Sequence, residues 1–170
     1  VQSGLYRVTY AGNESTQSVS AGFNPSAQPA SDLPTDIVQA RATRKKLEAF
    51  HGQKNPEAVH VAWPYLSDSD RFIRWAARTA IEHQPLENWL PLVLTESNPA
   101  AQIEAILAAA RVGGICPQHR NSESPKVDLA LRAKLLAALD KIDWRALPLE
   151  RQLAYVRTIE IILNRFGTPD

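Results

Sequence analysis

Beyond Pro34 the apolar residues recur at three- and four-residue intervals, interrupted by short polar stretches that carry asparagine, proline or glycine. That period is the mark of helices with one face on a core. The glycines retreat to positions 52, 113, 114 and 167, each where a helix should end. The pattern predicts seven helices. The first runs over 36–51, with Gly52 just past its end. The second takes Asn55 as its cap and Pro56 in its first turn, where a missing N–H costs nothing, and continues to 66. The third follows the polar turn 67–70 and stops before Pro85, and the fourth covers 86–96. Asn98-Pro99 opens the fifth, which extends to 112, and Ser124-Pro125 opens the sixth in the same way. The seventh covers 149–166, stopped by Gly167 and Pro169. Short helices joined by short turns must pack antiparallel to their neighbours, so the expected class is all-α, a stack of helical hairpins.

Two of the hairpins read as degenerate copies. Trp63-Pro64 and Trp89-Leu90-Pro91 stand 26 residues apart, each with a helix after it, a spacing within the range of solenoid repeats. A sharper signal is Leu66-x-Asp68-x-Asp70-x-x-Ile73-Arg74 followed by Ala76 and Ala77, which resembles the HEAT-repeat pattern. Those residue types have reasons to stand at that spacing. Asp68 or Asp70 can cap the orphan amides of the third helix, Arg74 can reach back to an acidic side chain of the turn, and the small alanines admit a close neighbour. The expected architecture is therefore a HEAT-like α-solenoid over 35–170.

The pattern before Pro34 is different. Over 5–10 the chain alternates, with Tyr6, Val8 and Tyr10 on one side and Leu5, Arg7 and Thr9 on the other, the period of a strand. A lone strand leaves both edges unpaired and needs a partner. It reads either as a tail or as the last strand of a preceding β domain. Residues 11–34 hold five serines, three prolines and two glycines with only Glu14 and Asp32 charged, the composition of an extended linker.

A longer resemblance joins these parts. Ser3-Gly4-Leu5-Tyr6-Arg7-Val8-Thr9-Tyr10 resembles the closing strand of a glucose/sorbosone-dehydrogenase-like β-propeller. Leu47-Glu48-Ala49-Phe50-His51-Gly52, Trp63-Pro64-Tyr65-Leu66, Asp70-Arg71-Phe72-Ile73-Arg74-Trp75-Ala76-Ala77-Arg78 and Glu82-His83-Gln84-Pro85 are similar to the helical region that follows such a propeller. The family is that of large exported bacterial proteins, common in planctomycetes, that join a propeller, HEAT-like helices and a c-type cytochrome domain. The resemblance reaches to about Gly113. It implies a periplasmic or otherwise exported redox protein whose propeller and cytochrome domains are this region's partners. The chain departs from that family in lacking both the propeller's active-site residues and a Cys-x-x-Cys-His, so no catalytic residue carries over.

Composition narrows the chemistry further. Nineteen basic and 18 acidic side chains leave a formal charge of +1, which recommends neither a polyanion nor an anionic membrane as partner. No apolar run approaches the roughly 20 residues of a membrane span. The one cysteine, Cys116, excludes an internal disulfide and any multi-thiolate metal site. Cys116-Pro117-Gln118-His119 offers one thiol and one imidazole, too few for a metal, and reads as a loop. Glu57 and His60 share a helix face without a second such pair, and His51 and His83 read as last-turn residues that complement the helix dipole. No catalytic centre, metal or cofactor is expected of this chain. The chain opens on Val1 without a methionine or a leader-like segment and reads as a piece of something longer.

What stands out concerns surfaces. Arg71, Arg74 and Arg78 form a stripe on the third helix, read as a salt-bridged, solvated face; the alternative is a nucleic-acid-binding repeat that grips phosphates. On the same helix Phe72, Ile73, Ala76, Ala77, Ala80 and Ile81 fall on one half of the wheel. Trp75 falls on the other with Arg71 and Arg78, the composition of an interface anchor. The seventh helix is apolar on more than one side, with Ile159 and Ile161 about 160° apart, so it should lie between two layers. The sixth helix supplies one layer. The fifth helix, a second copy of the chain or a further domain supplies the other, and in the last two cases Ile161 or Ile162 would meet the partner, as in a homodimer.

Overall fold

The computed structural model describes residues 34–168. The strand expected over 5–10, and the linker expected over 11–34 up to its last residue, lie outside the described residues. Within them stand seven α-helices and no strand. They are α1 (Thr35–Glu48), α2 (Glu57–Ala62), α3 (Arg71–Glu82), α4 (Leu90–Thr95), α5 (Pro99–Gly113), α6 (Leu129–Asp140) and α7 (Leu149–Phe166). Short 3-10 helices lie between them, at Trp63–Ser67, Leu86–Asn88, Pro117–His119 and Trp144–Ala146.

Two of the expected helices are interrupted at their prolines. The second passes into the 3-10 helix Trp63–Ser67, which contains Pro64, and the fourth divides into Leu86–Asn88 and α4, with Pro91 in the first turn of α4. Proline lacks the N–H that would continue an α-helical ladder and is tolerated in a first turn. The two tryptophan copies accordingly differ in setting. Trp63 is half-buried and donates its indole N–H to Glu96 Oε2 at 2.7 Å, whereas Trp89 is fully buried and donates to the Gln84 carbonyl at 3.2 Å. The sixth helix starts later than Ser124-Pro125 suggests. Asp128 accepts from the Leu131 amide at 2.8 Å and opens the helix, while Ser124 is held in a turn with Asn121. The first helix ends at Glu48, and Phe50 to Gly52 turn away, Gly52 at φ 75°.

The core is built around α5. Its residues Ala101 to Ile106 and Ala108 to Ala110 are all buried, because alanines on every side let neighbours approach from several directions. One line of packing runs from α1 to α3, α3 to α5 and α5 to α7. Alongside it α2 packs on α3, α4 on α5, and α6 on both α5 and α7. The second layer over α7 is thus α5, within this chain. Ile162 is fully buried there and Ile161 half-buried.

Candidate functional site

Helix α3 positions the site. Asp70 Oδ1 accepts from the Phe72 amide at 2.7 Å and caps α3, while Asp68 Oδ1 accepts from the Asp70 amide at 2.8 Å and closes the turn before it. Ile73, Ala76, Ala77, Ala80 and Ile81 face the core as expected. Phe72 does not. It is 54% exposed, because it lies at the border of the apolar arc, where the neighbouring helices no longer reach. Trp75 is 51% exposed in the middle of the outward face. His51 meets its ring edge-on at a centroid distance of 6.3 Å. The imidazole Nε2 of His51 lies 2.9 Å from the Ala76 carbonyl and, since a carbonyl only accepts, donates to it. This bond ties the turn after α1 to α3 and gives the histidine a structural role beyond the last helical turn expected for it.

Arg71, Phe72, Arg74, Trp75, Arg78 and Glu104 line an open cleft of about 450 Å³. The three arginines of the stripe have three different fates. Arg71 is exposed, lies over the Phe72 ring at 5.2 Å from its centroid, and makes no ion pair among the described residues. Arg74 is buried, which corrects the expectation of a solvated face: its Nη1 donates to the carbonyls of Asp68 and Ser69 at 2.7 and 2.8 Å, and its Nη2 to Glu150. The turn thus supplies Arg74 with backbone carbonyls, and its carboxylate partners come from α5 and α7. Arg78 donates to Glu104 Oε2 at 2.9 Å and pairs with Glu82 at 3.2 Å.

Glu104 on α5 is the centre of this network. It stands 3.6 Å from Arg74 and 3.9 Å from Arg151 of α7, with Arg78 in direct contact. Arg151 also donates to the carbonyls of Ser67 and Asp68. Burial, and then the adjacent Arg74 guanidinium, lower the pKa of Arg151 from its ordinary value against the opposing pull of Glu104, Glu150 and Asp68. An arginine nevertheless stays a cation in a protein. Arg111 closes the network on Glu82 at 2.8 Å. Charge pairing therefore braces α3, α5 and α7 beneath the exposed Trp75 and Arg71. Glu104, Arg111, Glu150 and Arg151 are the members that sequence reasoning missed. The available signal was Glu104 itself, the one acidic residue in an alanine-rich helix, which cannot be buried without cationic partners.

The other candidates sit apart. Glu57 and His60 are exposed on α2, and His83 caps the end of α3. Cys116 is half-buried with Gln118 Oε1 at 3.9 Å, and His119 beyond it is exposed. No cluster of three or more metal-ligating side chains occurs among the described residues, and no helix among them is long and apolar enough to cross a membrane. No family model, curated protein or solved structure matches the chain.

Proposed function

We propose that this chain is a non-catalytic scaffold and interaction module, with the outward face of α3 as its docking surface. The observation that carries the reading is Trp75, half exposed beside Phe72 and beside Arg71, which makes no ion pair among the described residues, on a helix whose opposite face is core. A rigid aromatic with an adjacent arginine, set over a braced foundation, combines large contact area with little entropy to lose on binding. The packing line α1, α3, α5, α7, with α2, α4 and α6 beside it, supports a HEAT-like solenoid as the scaffold. The resemblance of the sequence sets this module between a dehydrogenase-like propeller and a c-type cytochrome domain of an exported redox protein, where it would hold the two in register. A nucleic-acid-binding repeat draws less support, since Arg74 and Arg78 are already committed to carboxylates and only Arg71 of the stripe is free of them among the described residues.

The test is a titration of the chain with the propeller and with the cytochrome domain, each expressed separately, followed by calorimetry. One of them should bind saturably. Trp75→Ala and Arg71→Glu should each weaken binding at least tenfold while leaving the helical circular dichroism spectrum unchanged, and Arg71→Glu, at a fully outward position, should change stability by less than about 1 kcal/mol. Binding of neither domain, or binding indifferent to both substitutions, would remove the reading.

A further inference from the structure

Helix α7 presents a second surface, independent of the α3 face. Leu149, Leu153 and Val156 are 71%, 63% and 53% exposed, although the opposite side of the helix buries Tyr155, Thr158, Ile162 and Phe166. Their spacing of four and then three residues continues through Glu160 to Leu163, and alternate fours and threes are the spacing of a coiled-coil seam. Glu150 and Arg157 flank the seam seven residues apart, hence on the same edge of it, and their side chains are 67% and 60% exposed.

We infer that this seam is a self-complementary surface on which a second copy of the chain packs, α7 antiparallel to α7. In an antiparallel two-fold pair the same edge of each helix meets its own counterpart, so residues on one edge must complement one another. Here they do. A single register places Leu153 against Leu153 of the second copy, Leu149 against Val156, and Glu150 against Arg157, each of the last two pairings occurring twice by symmetry. A parallel pair would set the Glu150 and Arg157 edge against the edge carrying Gln152 and Ile159, where no charge answers. The carboxylate of Glu150 already holds Arg74 through Oε1 and fixes the position of its charge at the seam. Among the described residues Arg157 is paired only with the exposed Glu160 on its own helix, a surface pair that can exchange for Glu150 of the second copy. Three apolar residues bury well under the roughly 800 Å² per partner of a stable complex, so the dimer is weak.

Sedimentation equilibrium of the full chain from about 10 µM to about 1 mM, the range in which weak association shows, tests the inference. The chain should pass from monomer to dimer. Leu153→Lys, which sets like charges on the two-fold axis, should leave a monomer throughout, with an unchanged circular dichroism spectrum. Arg157→Glu should weaken the dimer severalfold, by placing carboxylate against carboxylate. In a Cys116→Ser background, Leu153→Cys should oxidise to a disulfide-linked dimer much faster than Leu129→Cys, an apolar position at the start of α6 that is 54% exposed against 63% for Leu153. A strict monomer at 1 mM, association that survives Leu153→Lys, or equal cross-linking at the two cysteines would each overturn the proposal.

Discussion

Glu104 shows how much of this molecule rests on single charges. Three guanidinium groups, from Arg74, Arg78 and Arg151, surround one buried carboxylate. Removing that charge leaves three guanidinium groups with one carboxylate fewer: Arg74 keeps Glu150 and Arg78 keeps Glu82, whereas Arg151 keeps only the carbonyls of Ser67 and Asp68 among the described residues. Glu104→Gln preserves shape and one acceptor but removes the charge, and by analogy with broken buried pairs it should cost about 3–5 kcal/mol. Urea unfolding followed by tryptophan fluorescence measures that loss, and a cost under about 1 kcal/mol would mean that the arginines find water or other partners. Trp75 contributes to stability only through the half that is covered, where His51 meets its ring.

At the scale of elements, close approach decides as much as periodicity. The end of α5 lies under α6 and the end of α7, and this is possible because two glycines stand there. A Cβ on Gly113 would meet Leu131 Cδ2 at 2.4 Å, and one on Gly114 would meet Arg165 Cβ at 2.7 Å, Phe166 Cε2 at 2.8 Å and the Ala110 carbonyl at 2.9 Å. Arg165 spans the same junction by donating to the Gly114 carbonyl at 2.6 Å and the Arg111 carbonyl at 2.8 Å. Gly114→Ala should therefore push α7 from α5 and cost about 1–3 kcal/mol, the range of overpacked cores. Thermal unfolding checks it: a melting temperature equal to that of the parent would show that the junction can yield.

For the whole molecule, Tyr155 sets a limit to alkaline stability. Its ring is buried, stacks on Trp144 at a centroid distance of 5.6 Å and lies with its hydroxyl 3.4 Å from the Leu139 carbonyl. Burial first, and then the charge of Asp140, raise its pKa above the ordinary 10.0. Below pH 10 the hydroxyl is protonated in both folded and unfolded chains, so its contribution is fully present. As pH rises above 10 the unfolded chain ionises first, and stability falls until the folded hydroxyl ionises too. Tyr155→Phe should flatten that part of the pH–stability profile. Urea midpoints taken on both sides of pH 10 would show it, and an equally steep decline in the variant would place the titration elsewhere.

The all-α class and the position of α7, from Leu149 to Phe166, were legible in the sequence, because helix periodicity and proline or glycine stops are local and act before any tertiary contact forms. So was the outward Trp75, which the wheel of α3 places opposite Ile73, Ala77 and Ala80. The burial of Arg74 was not legible. Its partners Glu104 and Glu150 lie 30 and 76 residues away, and only packing brings α5 and α7 to it. Nor could the wheel of α7 say which of its several apolar sides remains open. Ile162 and Leu153 are alike in kind, and the choice between them was made by α5 and α6, which cover one and leave the other to water.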